Sequence, residues 1–351
     1  MTKRRSFVHV APTTLIATLG SAMLVGSAAA QTKVTIDYTV PTADRWNYPF
    51  NPTPGIRPTA SVFGNDAGGA FFDNRDGQMI VMWDTSADIP AGRDVASYLV
   101  LNARITVEFA TDQALVYDDS TDPWQSFLPT SDPNYIPDAD PGQPMEIFGT
   151  GFRNGYSYAN WVETSPYAPP GSNLLSPGIR NAYGQGYNAK GQPIDISNSV
   201  RDQISPDPFA IGYVPDVNIG DLIPIGAKCQ FDLATDNPLV TGYLSKSLAE
   251  GKLSLSITSL ARVVQQGSVF PSFYCKENPL VGKGLAHAAH LEMTVLLFDC
   301  APADFDCDGV VGNVDLALLL GAWGTTSLGY DLDGDGVVGA ADLAVLLGSW
   351  G

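Results

Sequence analysis

The chain has 351 residues, with 37 acidic side chains against 19 lysines and arginines and a formal net charge of −18. Such a surface repels nucleic acid and anionic lipid and suits divalent cations. The length can bury a full core and carries a prior of two domains. After the first thirty residues no stretch reaches the ~18 consecutive apolar residues of a membrane span.

Residues 1–30 read as a secretory signal peptide. MTKRR supplies the positive start, APTTLIATLGSAMLVG the apolar stretch, and SAAA before Gln31 the small residues of a cleavage site. Removing this segment takes away Lys3, Arg4 and Arg5 and no acid, so the mature charge becomes −21. A secreted protein, extracellular or cell-surface associated, is expected.

Residues 31–300 are expected to form one mainly β domain. KVTIDYTV (33–40) alternates apolar and polar side chains at period two. Further strand candidates are QMIVMW (78–83), YLVLNARITVEFAT (98–111), ALVYD (114–118), PMEIFG (144–149), KLSLSITSL (252–260) and LEMTVLLFD (291–299). Turn clusters such as NPTPGIRP and SPYAPPGSNLLSPG lie between them, and no helical period is evident over ten residues. Strands facing core on one side and solvent on the other predict an antiparallel β-sandwich, because a parallel sheet needs crossover helices.

The stretch from about 118 to 225 is too long for plain connection and is rich in aromatics. Trp124, Tyr158 and Trp161 are candidates for a carbohydrate platform, with core packing as the competing role. Asp73, Asp76, Asp84, Asp88 and Glu108 are the carboxylates from which a glycosidase pair would be drawn. His287 and His290 could join Glu292 at a metal, or lie at a solvated turn. Compact catalytic motifs (GxSxG, HExxH, P-loop, Rossmann glycines) are absent, so catalysis stays an open alternative. Cys229, Cys275, Cys300 and Cys307 suit disulfides in an oxidising compartment. The close spacing of Cys300 and Cys307 favours a local loop, which leaves Cys229 with Cys275.

Composition changes sharply after Cys300. Residues 301–351 hold eight aspartates and no lysine or arginine. DFDCDGVVGNVDLALLLGAWG (304–324) recurs 27 residues later as DLDGDGVVGAADLAVLLGSWG (331–351). Asp304, Asp306 and Asp308 hold loop positions 1, 3 and 5, as do Asp331, Asp333 and Asp335. Gly309 and Gly336 provide the sharp turn at position 6, Val310 and Val337 a carbonyl at position 7, and Asp315 and Asp342 close the loop at position 12. Calcium takes six to eight oxygens at about 2.3–2.6 Å, and a short loop supplies them only by alternating carboxylates with residues that turn away. Two Ca2+ ions are expected. Leu316, Leu319, Leu320 and Trp323 would share one helical face, and Leu343, Leu346, Leu347 and Trp350 another, each buried against the other.

This paired loop-plus-helix layout resembles a type I dockerin with two EF-hand-type loops, and its LLGAWG and LLGSWG endings resemble the tails of secreted planctomycete proteins. The resemblance implies a small all-α module over 301–351 that docks to a cohesin-like or other surface or scaffold protein. It places partner recognition at Asn313, Val314, Ala340 and Ala341. The larger region resembles, loosely, the jelly-roll-like β-domains of such proteins. The combined expectation is a docked, secreted protein whose β-domain binds carbohydrate or serves a structural role. A dockerin-bearing polysaccharide hydrolase and a purely structural surface or matrix component are the alternatives.

Overall fold

The computed structural model describes residues 31–64, 74–263, 269–298, 300–327 and 329–351. The expected signal peptide and Asp73 lie outside the described residues. The strands are β1 (Gln31–Tyr38), β2 (Ala43–Asn47), β3 (Thr59–Ser61), β4 (Gln78–Asp84), β5 (Tyr98–Glu108), β6 (Glu146–Phe152) and β7 (Ala182–Tyr187). They continue as β8 (Pro193–Asp195), β9 (Ala210–Ile211), β10 (Lys228–Asp232), β11 (Lys252–Thr258), β12 (Ser272–Tyr274) and β13 (His290–Phe298). The helices are α1 (Pro238–Ala249), α2 (Pro279–Gly282), α3 (Asn313–Gly321) and α4 (Ala340–Gly348).

The chain is mainly β, with antiparallel sheets. One sheet has the order β1-β13-β5-β10, and a larger one runs β2-β4-β11-β6-β7-β8 with β9 added beside β6. β3 and β12 form a small third sheet. The period-two pattern of β1 explains its place: Val34 and Ile36 point inward opposite Val295 and Met293 of β13. Their inner neighbours include Val100, Ile105 and Phe231 from the same sheet and Met79, Val81, Trp83, Leu253, Leu255 and Ile257 from the larger one. Both sheets therefore contribute to one apolar core.

The larger sheet departs from the expectation of a solvated outer face. Six consecutive residues of β4, Gln78 to Trp83, are buried, as are Leu253 to Thr258 of β11. The reason is the aromatic middle of the chain, which folds back over that face. Trp161 packs there with Ala43, Ile80, Met82 and Ala182, while Phe127 packs with Val200 and Leu260. Burial on both sides gives β4 and β11 the near-continuous apolar or small-residue character of central strands.

Two other expectations are corrected. ALVYD is no strand: only Val116 bridges to Leu222, and the neighbouring chain makes loop contacts. The helix-free reading fails at α1, a 12-residue helix. Its signals are local: Asn237 accepts a 3.0 Å hydrogen bond from Leu239 N, and Pro238 opens the first turn. Val240, Tyr243, Leu244, Ser247 and Leu248 are buried at helical spacing. The serine among them weakens the apolar contrast on which the pattern depends. Inside, Ser247 satisfies its hydroxyl on Tyr243 O at 2.8 Å, and its neighbour Ser245 does so on Tyr98 O at 2.8 Å.

Cys300 and Cys307 form a disulfide. The expected partnership of Cys229 and Cys275 is not formed; both are free and buried. Cys229 sits in β10 and Cys275 follows β12, each inside the main core. Burial pushes both thiols well above their ordinary range, so they act as small apolar side chains there.

Candidate functional site

The repeated loops arrive at matching local structures. Asp315, 1 % exposed, stands in the first turn of α3; its Oδ1 accepts from Phe305 N (2.6 Å) and Asp306 N (3.2 Å), and its Oδ2 from Gly312 N (2.7 Å). Asp342 repeats this in α4, with Leu332 N (2.6 Å), Asp333 N (3.2 Å) and Gly339 N (2.6 Å). Asp304 Oδ2 accepts from Gly309 N at 3.0 Å and Asp331 Oδ2 from Gly336 N at 2.9 Å. Gly309 and Gly336 both take φ of 90°, a left-handed conformation that suits glycine. Position 4 also has positive φ in both copies, at Gly334 and at Cys307. A non-glycine residue there costs about 1–2 kcal/mol; the chain retains Cys307, whose sulfur is bonded to Cys300.

Carboxylate oxygens of Asp304, Asp306 and Asp315 lie within 4.8 Å of one another, and so do those of Asp331, Asp333 and Asp342. Positions 1, 3 and 12 thus converge in each copy. Asp308 and Asp335, at position 5, stand outside these triads and accept from Val310 N and Val337 N, both at 2.8 Å. Asp304 is 3 % exposed, and its Oδ1 is buried without a hydrogen-bond donor. Burial raises the Asp304 carboxyl, against the opposing Gly309 amide, with Asp315 and Asp308 adding repulsion. Backbone amides, Gly339 first, lower Asp342. An oxygen-only set with one orphaned buried oxygen fits a hard divalent cation.

The two copies also interlock. Gly351, which closes the second repeat, donates to Val311 O at 3.0 Å; Gly324, its equivalent in the first, donates to Val338 O at 2.8 Å. Val311, Leu319, Val338 and Leu346 are buried in a cluster of their own, and Phe305 meets Tyr330 edge-on at 4.8 Å. The expected burial of the helical faces is only half met. Leu319 and Leu346 are fully buried and Leu316 and Leu343 partly so, but Leu320 (51 % exposed), Trp323 (45 %), Leu347 (52 %) and Trp350 (47 %) face outward. Each nine-residue helix buries one leucine fully and a second in part, leaving the rest of its four-residue stripe exposed. Asn313, Val314, Ala340 and Ala341 are exposed in the opening turns.

The aromatic candidates of the β region separate. Trp161 is 1 % exposed and belongs to the packing of β2 and β4, so it is not a platform residue. Trp124 is half-buried on the wall of a polar cavity of about 200 Å3 that it shares with Arg75, Asp122, Glu146 and Ser199. Tyr158 lines a larger groove of about 440 Å3 with Phe152, Tyr156, Tyr183, Gln185 and Tyr187. Its hydroxyl donates to Tyr243 OH at 2.7 Å, and Tyr243 donates in turn to Ser254 O at 2.5 Å. Burial pushes Tyr158 up to about 12, which keeps it a neutral donor. Tyr156, Tyr183 and Tyr187 were not singled out as ligand residues from sequence. The alternation AYGQGY in β7, which sets Tyr183 and Tyr187 on one face, is the signal that would have found them.

The two histidines take separate carboxylate partners. His287 Nδ1 lies 2.6 Å from Glu108 Oε2, and His290 Nε2 lies 2.7 Å from Asp37 Oδ1; among the described residues neither belongs to a metal-ligating group. Asp88 accepts from Tyr38 OH at 2.6 Å, Asp84 caps Ser86, and Asp76 is buried. No family model matches the chain, and no curated protein matches it. The functional reading therefore rests on the geometry of the sites themselves.

Proposed function

We propose that this is a secreted protein, held at an extracellular or cell-surface partner through a dockerin-like tail that takes two calcium ions. Asp304, Asp306, Asp308, Asp315 and the Val310 carbonyl would hold one ion; Asp331, Asp333, Asp335, Asp342 and the Val337 carbonyl would hold the other. The observation that carries the reading is the recurrence of the same carboxylate triad and the same amide pattern in both copies. Calcium would neutralise acids that have no basic residue within the tail to answer them. Docking is supported by the outward-facing Leu320, Trp323, Leu347 and Trp350, beside the exposed positions 313, 314, 340 and 341. Apolar and aromatic side chains of that kind anchor protein interfaces. Calorimetric titration of the full chain with calcium tests this reading. Replacing Asp306 and Asp333 together by alanine is expected to weaken tail binding at least tenfold, since changes even outside a metal's inner shell cost about 10–100-fold. Unchanged isotherms would remove the basis of the proposal.

For the β region the tyrosine-lined groove favours carbohydrate binding, because sugar rings stack on aromatic faces while Gln185, Lys246 and Glu250 offer polar partners at its wall. The jelly-roll-like form of the domain is part of this proposal. A glycan array probed with the full chain is expected to give selective signal that falls when Tyr183 is replaced by alanine. Silence across plant, algal and microbial polysaccharides would leave the structural role in its place.

A further inference from the structure

A second acidic centre lies in the β region, far in sequence from the repeated loops. After Val116 and Tyr117 the chain makes a long excursion and comes back at Gln143, whose amide donates to Val116 O at 3.2 Å. Along that excursion Asp118, Asp122 and Asp140 each bring one carboxylate oxygen within 4.8 Å of the others. Asp138 adds a fourth acid beside Asp122.

The burial of Asp118 makes the group more than an acidic turn. Asp118 is 1 % exposed. Its Oδ1 accepts from Ser120 N at 2.8 Å and Ser120 Oγ at 3.0 Å, but its Oδ2 is enclosed with no donor. Asp122 Oδ2 is likewise enclosed and unpartnered. A buried polar group left unsatisfied is costly, and a charged one more so. Among the described residues, none of the three aspartates forms an ion pair.

The same protein shows how it closes a comparable group without a metal. Asp44, Glu163 and Glu277 also converge within 4.8 Å. There Lys276 Nζ sits among them, 3.2 Å from Asp44 Oδ1, 2.7 Å from Glu277 Oε1 and in contact with Glu163 Oε1. Among the described residues, the chain supplies its own cation at one cluster and none at the other.

We propose that Asp118, Asp122 and Asp140 form a third divalent-cation site, of calcium type, inside the β region. The donors are all hard oxygens carried on a loop, which suits calcium's tolerance of irregular coordination better than the strict octahedron of magnesium. Ser120 Oγ, 3.3 Å from Asp140 Oδ2 and 3.0 Å from Asp118 Oδ1, ties the first and last members together. Binding there fastens the excursion at both ends. It also sets Asp122 and Trp124 in place on the wall of the polar cavity they share with Arg75 and Glu146. This site does not depend on the tail's being a calcium module.

Counting bound radioactive calcium on the full chain by equilibrium dialysis tests the proposal. Three proteins are compared: the parent, a tail variant (Asp306→Ala with Asp333→Ala), and a loop variant (Asp118→Asn with Asp140→Asn). The loop variant should bind one ion fewer than the parent whatever the tail does, and the tail variant should retain an ion that is lost when Asp118→Asn is added. Asp140→Asn alone alters an exposed side chain, and should weaken that ion about tenfold or more with the far-ultraviolet circular dichroism unchanged. Equal counts in the parent and loop variant would overturn the proposal, as would a retained ion indifferent to Asp118→Asn and Asp140→Asn. If the tail variant instead matches the parent while the loop variant loses an ion, the tail reading fails and this site stands.

Discussion

Removing calcium from the intact protein is expected to melt α3 and α4 and leave the sheets standing. Each of these helices has nine residues, below the ~12–15 at which an isolated helix is even marginal in water. The only fully buried leucines they contribute are Leu319 and Leu346, a small core for so many carboxylates. Without a cation, eight aspartates stand in 51 residues with no lysine or arginine among them. Calcium at a hundredfold excess over its dissociation constant adds about 2.7 kcal/mol per site to the folded form, enough to decide the balance. Circular dichroism at 222 nm should therefore lose the signal of these two helices on chelation and regain it on adding calcium. Asp315→Ala and Asp342→Ala should each mimic chelation. Each removes a proposed ligand and also strips three backbone amides of their acceptor. Helicity that is identical with calcium, with chelator and in both variants would refute metal-coupled folding. The Cys300–Cys307 bridge clamps the entry to the first loop alone, so the first repeat should resist chelation longer than the second.

Breaking the Arg75–Glu146 pair is expected to cost the β region about 3–5 kcal/mol, because the surviving charge stays buried without its partner. Both side chains are almost wholly enclosed, at 2 % and 7 % exposure. Arg75 also donates from Nε to Ser199 Oγ at 3.3 Å and stacks its guanidinium 5.3 Å from the Phe148 ring centre. Arg75→Ala and Glu146→Ala should each lower the urea midpoint strongly. Replacing both with apolar residues of similar volume should recover much of the loss, since no charge is then stranded. A single substitution within about 0.5 kcal/mol of the parent protein would show that water or relaxation answers the remaining charge. The same two residues wall the cavity that Trp124 and Asp122 also line.

The two parts of this chain were legible from sequence to different degrees, and the difference is physical. In the tail, local spacing brings the carboxylates together. Acids at alternate positions, glycine at the sixth and an aspartate in the following turn leave the backbone few ways to fold, and repetition at 27 residues removes chance as an explanation. The long strands β1, β5 and β13 were readable for a similar reason, since each alternates along its own length. β7, β10 and the helix α1 were not: glycines hold inward positions of β7, buried serines dilute the apolar face of α1, and β10 alternates over only five residues.

What the amino-acid order could not settle is which aromatic or acidic side chains meet. Trp161 and Tyr158 look alike as sequence, yet one fills the outer face of β4 and the other lines an open groove, a division made by how the middle of the chain folds back. Cys229 and Cys275 invited a bridge by elimination, but pairing depends on where the strands carry their sulfurs, and both are left as free thiols in the core. Asp118, Asp122 and Asp140 are spread over 23 residues of loop and become neighbours only because Gln143 returns to Val116. The sequence by itself therefore determined an acidic chain of β strands ending in a duplicated aspartate loop, since those features are written at spacings of two to twelve residues. The closed core, the buried ion pairs, the tyrosine groove and the second acidic centre were decided by tertiary structure, because each joins residues that only long-range packing brings together.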